Sequence, residues 1–204
     1  MDVRELHRLA TAQQGLFTRG QAQRLGASPH VVRQKVATGE WVVVLGGVLA
    51  VAGLPLTQRV REIAALLDLP GTVLAGPSAA RRHGLACPDH RIFVAGDTRR
   101  RAPAMVRILR QRVPVADVVR LNGCPVTTLP RTVLDCLTVL RDEPAQDFLH
   151  TVLATQRVSR EALANGIQGR VGQKGTPRLI QILRSSGCPA TSGASRRRTV
   201  STAR

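Results

Sequence analysis

Three helix-start signals crowd the beginning of this chain, each closed by a glycine, and a β-type run follows at once. Asp2 stands three residues before Glu5, with Leu6, Leu9 and Ala10 on one stripe and Gly15 placed to end the helix. Thr18 repeats the arrangement with Gln21, opening a short helix that holds Ala22 and Leu25 and stops at Gly26. Ser28 then caps a third helix with Pro29 at its first position, and Gly39 follows its end. Trp41 to Leu45 and Val48 to Ala52 alternate with the turn Gly46-Gly47 as a hairpin. Three short helices, tight turns and a hairpin predict a winged helix-turn-helix over residues 1–53.

The third helix is the part such a module presents to DNA. Val32 and Val36 stand four apart and face the core. His30, Arg33, Gln34 and Ala37 lie on the other side. Arg33 has the fork for a guanine edge and Gln34 the amide for an adenine edge, while Lys35 and Thr38 suit phosphate. The expected DNA-binding residues here are Ser28, His30, Arg33, Gln34, Lys35 and Thr38. A solvated polar face would show the same composition, so charge alone does not separate the two readings.

Charge points the same way. The 204 residues carry a formal charge of +17, which favours a polyanionic partner. Only Lys35 and Lys174 are lysines, so part of the arginine excess reflects composition rather than a designed surface. Residues 1–53 hold six basic and three acidic side chains, residues 54–120 twelve and five, and residues 162–204 eight and none. The run Arg99-Arg100-Arg101 reads as a loop that supplies phosphate contacts. There is no Tyr, one Trp and three Phe, which excludes a base-stacking platform for single strands and leaves duplex DNA as the expected partner. The longest apolar run, Trp41 to Ala52, is too short to span a bilayer, and no secretion signal opens the chain, so a cytoplasmic protein without a membrane partner is expected. Cys87, Cys124, Cys136 and Cys188 lack C-x-x-C spacing and suit reduced thiols.

Residues 57–185 read as an α+β domain with trailing helices. Helices are expected at Thr57 to Leu67, Pro77 to His83, Pro130 to Leu140 and Pro144 to Thr155, with Ser159 and Thr176 capping two more. Strands are expected at Thr72 to Ala75, Arg91 to Ala95, Val106 to Leu109 and Val118 to Thr128, the last turning at Asn122-Gly123. Residues 186–204 are basic and poor in apolar side chains, and are expected to be disordered.

The order "LHRLATAQQGLFTRGQAQRLGASPHVVRQKVATGEWVVVLGGVLAV", "VLAGPSAARRHGL" and "LNGCPVTTLPRTVLDCL" resembles the AbiEi antitoxins and their relatives. The shared motifs occupy Ser78 to Leu85 and Gly123 to Asp135. The resemblance covers about residues 1–185 and implies a DNA-binding repressor of its own operon, partnered with a nucleotidyltransferase-like toxin in a type IV toxin-antitoxin system. The wing departs from the family pattern, with Gly46 and Leu49 where relatives carry a basic residue and a tyrosine. Many relatives continue into a very-short-patch-repair-like endonuclease domain. After Glu161 this chain has no Asp or Glu, so no carboxylate-metal nuclease centre is expected in its tail. Two other readings stand beside the repressor: the DNA-targeting part of a truncated nuclease fusion, and a protein-interaction module.

Three constellations suggest chemistry and have plainer explanations. His83, Cys87 and His90 are close in sequence but lack a fourth zinc ligand, so no metal and no cofactor are expected. Arg131 and Asp135 have the spacing of a structural helix pair. Ser78, with Gly76, Arg81 and Arg82 nearby, resembles an anion site but matches no Walker pattern.

Overall fold

The computed structural model describes residues 1–170 and 175–187. Helix α1 (Val3–Ala12) is capped by Asp2, whose carboxylate accepts the Glu5 N–H at 3.0 Å. Helix α2 (Arg19–Arg24) carries the complete capping box: Thr18 accepts the Gln21 N–H at 3.1 Å, and the Gln21 amide oxygen accepts the Thr18 N–H at 2.7 Å. Helix α3 (Pro29–Ala37) starts from Ser28, which accepts the Val31 N–H at 3.2 Å. Gly26, at φ +88°, makes the turn between α2 and α3 in a backbone region that costs a side chain more.

The hairpin forms with its first arm as expected, β2 (Trp41–Leu45), a second arm one residue shorter, β3 (Val48–Val51), and a register shift between Val43 and Leu45. It is not alone. Leu16–Thr18 forms a strand, β1, that pairs antiparallel with β3 and completes a three-stranded sheet of order β1-β3-β2. Phe17 and Trp41 meet edge to face with centroids 4.9 Å apart, over a core of Leu6, Ala10, Ala22, Val32 and Leu49.

Helix α4 (Gln58–Asp68), capped by Thr57, lies between two sheets. Val60 and Ala64 pack with Leu16, Val48 and Ala50 of the first. Ala65 packs with Leu74, Val94 and Val126 of the second. That second sheet has five strands in the order β6-β5-β4-β8-β7, where β4 is Val73–Leu74, β5 Ile92–Ala95, β6 Val106–Leu109, β7 Val118–Leu121 and β8 Cys124–Thr127. It is mixed: β4 runs parallel to β8 and antiparallel to β5. Asn122 and Gly123, both at positive φ, turn β7 into β8, so the expected run 118–128 is a tight hairpin.

Helices α5 (Gly76–Arg82), α6 (Leu129–Val139), α7 (Asp142–Ala154), α8 (Arg160–Gln168) and α9 (Thr176–Ser185) complete the α+β architecture. Leu134, Leu137, Leu149, Leu163 and Leu179 form their common core. Ser159 caps α8 as expected, accepting the Ala162 N–H at 3.0 Å. Thr176 does not cap α9: Gly175 at φ +90° takes that position, and the Thr176 hydroxyl donates to the Arg170 carbonyl at 2.7 Å. Most of the basic tail, 188–204 with Cys188, lies outside the described residues. Among the described residues no helix is long and apolar enough to cross a membrane.

Candidate nucleic-acid interface

Helix α3 presents two contrasting faces. Val32 is 2% exposed and anchors the helix in the first core, with Val31 and Val36 packed partly against it. His30, Arg33, Gln34 and Ala37 are exposed on the other side. No hydrogen bond or ion pair joins the Arg33 or Gln34 side chain to another described residue, so both are free to meet an outside group. Ser28 is occupied at the helix start, as a capping hydroxyl should be.

The end of α3 is arranged differently. Lys35 is half-buried, pairs with Glu40 and lies 5.8 Å from the centre of the Trp41 ring. The Thr38 hydroxyl donates to the same carboxylate at 3.2 Å. Glu40 is exposed, and its carboxyl is held below the usual range first by the Lys35 hydrogen bond and then by that of Thr38. The two side chains expected on phosphate thus already share an acidic partner, and meeting DNA through them means exchanging it.

The hairpin turn faces inward. Asp68, at the end of α4, accepts the Gly47 N–H at 2.8 Å. A Cβ on Gly46, itself at φ +51°, would lie 2.4 Å from the Asp68 carboxylate, so a side chain there would push Asp68 off the turn. The carbonyl of Gly47 in turn accepts the Arg19 N–H at 2.9 Å, which ties the turn to the start of α2. The sequence departure at Gly46 therefore has a structural use: a bare turn docks onto α4.

The expected basic run Arg99-Arg100-Arg101 is an exposed loop after β5. Arg100 reaches back and donates to the Asp68 carbonyl at 2.8 Å. It thereby joins Arg19, Arg24 and Gly47 around an open cleft of about 490 Å³. Sequence reasoning gave no role to Arg19 or Arg24, whose helix is too short to show a periodic basic face. Among the described residues neither has an acidic partner.

The remaining constellations are built into the scaffold. Ser78 is 0% exposed; its hydroxyl oxygen accepts the Phe93 N–H at 2.9 Å and an Arg81 N–H at 3.1 Å, which leaves no anion site. Arg82 and Arg81 converge on buried Glu62, at 2.7 and 3.4 Å. His83 bonds through Nε2 to the Thr127 carbonyl at 2.8 Å. Arg131 pairs with Asp135 at 3.4 Å and with Asp117 at 2.8 Å, and Asp135 also accepts from Arg170. Ser78 and His83 thus tie α5 to the second sheet, and Thr132, whose hydroxyl donates to the Thr127 carbonyl at 3.0 Å, ties α6 to it. Among the described residues no three His, Cys, Asp or Glu side chains gather as a metal site.

Neither a protein-family model nor a curated protein matches the chain. Among solved structures it is similar to the crystal structure of the RV2827C protein from Mycobacterium tuberculosis, with a TM-score of 0.60 and 21% identity. The match covers 92% of this chain and 77% of that one, and speaks to fold.

Proposed function

We propose that this protein is a duplex-DNA-binding transcriptional repressor of the AbiEi antitoxin type, with residues 1–53 as a winged helix-turn-helix and α3 as its reading helix. The observation that carries the reading is the exposed face of α3, where Arg33 and Gln34 stand unpartnered beside each other on a helix fixed by its Ser28 cap and its Val32 anchor. Those two side chains match the major-groove edges of guanine and adenine. Arg19, Arg24 and Arg100 supply a cationic flank suited to phosphates next to the same unit. The inward hairpin turn supports α3, rather than a wing, as the part that enters the groove.

In this reading residues 57–185 form the antitoxin-type domain, and its protein partner is a nucleotidyltransferase-like toxin. No catalytic residue, cofactor or metal enters the mechanism. Repression follows from occupancy of an operator near the protein's own gene.

The test titrates Arg33→Ala against a duplex from the region upstream of that gene and against random duplex, at matched salt. Loss of a bidentate base contact weakens operator binding by about 1–3 kcal/mol, with a much smaller change on random DNA. An unchanged operator-to-random ratio would remove α3 as the reader.

A further inference from the structure

Asp135 accepts hydrogen bonds with only one of its two oxygens. Gln111 donates to Oδ1 at 3.1 Å, Arg131 donates to it at 3.4 Å, and Arg170 does so through Nη2. Oδ2 is buried with no hydrogen-bond partner among the described residues, and the Nε–H of Arg170 is buried without an acceptor. The Asp135 and Arg170 side chains are 1% and 6% exposed, so bulk water serves neither atom. Leaving such atoms unpaired is costly, and here an acceptor and a donor belong to the two members of one ion pair.

Both residues line an open cavity of about 450 Å³. Its walls come from the end of β6, from α6, from Arg170 just beyond α8 and from the start of α9. Ile108, Leu109 and Leu179 give it an apolar lining. The Thr176 hydroxyl donates to the Arg170 carbonyl at 2.7 Å, which holds Arg170 in the wall. Arg110 also lines the cavity, but its guanidinium reaches to the carbonyls of Thr98 and Arg100. Asp117 and Asp135 match Arg131 and Arg170 in number, so this ion-pair network offers an anion no net charge. One water, about 30 Å³, could bridge an acceptor and a donor, yet it would leave most of the space and the apolar lining without a partner.

We propose that this cavity binds a small neutral heterocycle of the nucleobase class, whose ring N–H donates to Asp135 Oδ2 while its adjacent carbonyl accepts from Arg170 Nε. A flat ring with a donor beside an acceptor satisfies both atoms at once and lays apolar faces against Ile108, Leu109 and Leu179. An anion would meet the unpaired carboxylate oxygen with repulsion. A purely apolar ligand would leave both polar atoms as they are.

The experiment titrates full-length protein with uracil and with hypoxanthine by ligand-observed NMR, with 1,3-dimethyluracil as the matched control that keeps the carbonyls and lacks every N–H. Saturation transfer to at least one of the two bases is expected, and 1,3-dimethyluracil should bind roughly tenfold or more weakly than uracil or not at all, because Oδ2 then gains no donor. In Asp135→Asn the three donors hold the amide oxygen in the place of Oδ1, so the NH₂ group takes the place of Oδ2 and opposes the ring N–H; binding should fall by about tenfold. Thr138 lines the cavity from an exposed position, so Thr138→Trp should fill it and stop binding in a protein that melts like the wild type, which keeps the test decisive if Asp135→Asn does not fold. Neither base binding at millimolar concentration, 1,3-dimethyluracil binding as well as uracil, or binding that survives in folded Thr138→Trp would each overturn the proposal.

Discussion

Replacing Asp135 by alanine removes a carboxylate that organises three side chains from three parts of the chain. Its Oδ1 accepts from Gln111 at 3.1 Å, from Arg131 at 3.4 Å and from Arg170. The side chains of Asp135, Arg131 and Arg170 are 1%, 9% and 6% exposed, so solvent does little to screen what remains. Arg131 keeps Asp117 at 2.8 Å. Arg170 keeps no acidic partner among the described residues. Stranding one buried cation costs about 3–5 kcal/mol, which in a chain of this size lowers the melting temperature by roughly 6–20 °C. Asp135→Asn retains an acceptor oxygen and should cost less, about 1.5–3 kcal/mol. The double variant Asp135→Leu/Arg170→Met removes both charges together and should recover most of the loss, because apolar side chains of similar size often replace a buried ion pair without cost. Urea unfolding of the wild type, both single variants of the pair and the double variant closes the cycle, with coupling of about 2 kcal/mol or more expected. A loss below about 1 kcal/mol for Asp135→Ala, or simple additivity, would refute the view that the charges depend on one another.

Val32→Ala deletes two methyl groups from a side chain 2% exposed; about 1.6 kcal/mol of transfer plus a cavity contribution gives a loss of about 2–3 kcal/mol by urea unfolding, with the operator-to-random binding ratio retained. Neutralising Arg99, Arg100 and Arg101 together should weaken binding to all duplexes and lower the salt slope by up to about three, while sequence preference survives; a salt titration with an unchanged slope would leave the loop as solvated surface. Alkylation of Cys87 in the folded protein should rise with pH around an inflection near 7, as thiolate forms, rather than near the usual 9; Cys136→Ala removes the largest lowering influence and should move the inflection upward. The sign follows for stability too: a thiol whose folded pKa is depressed adds stability above its unfolded pKa, and that contribution is lost as pH falls through about 7.

Local chemistry was legible where a residue's partner lies within a few positions. Thr18 with Gln21 and Ser28 with Pro29 announce two helices because each cap acts within its own first turn. The exposed face of α3 was readable for the same reason: Val32 and Val36 fix its inner side by spacing alone. Strand β1 was not, since its three residues become a strand only by pairing Leu16 with Ala50 and Phe17 with Leu49. Glu62 sits in the middle of an otherwise apolar helix face, and nothing local says that it is buried; Arg81 and Arg82, about twenty residues on, make that possible. Arg131 with Asp135 could be read as a helix pair, but the third member, Arg170, arrives from beyond α8. The hairpin was visible and the destination of its turn was not, because Asp68 comes from the far end of the next helix.

Helix α4 sets the smallest piece of this protein that can be transplanted. A fragment cut just after the hairpin would carry Leu16, Val48 and Ala50 without Val60 and Ala64, which cover them, and would leave the Gly47 N–H without its acceptor. Carrying the fragment on through Asp68 restores those partners but bares Ala65, which belongs against Leu74 and Val126. Neither cut gives a clean edge. A recombination event, or an engineer grafting α3 with its hairpin onto another body, has to bring a replacement for the second sheet as well. The two halves are thus built as one object, and if α3 reads DNA as proposed, new specificity comes more readily from changing Arg33 and Gln34 in place than from exchanging the unit that presents them.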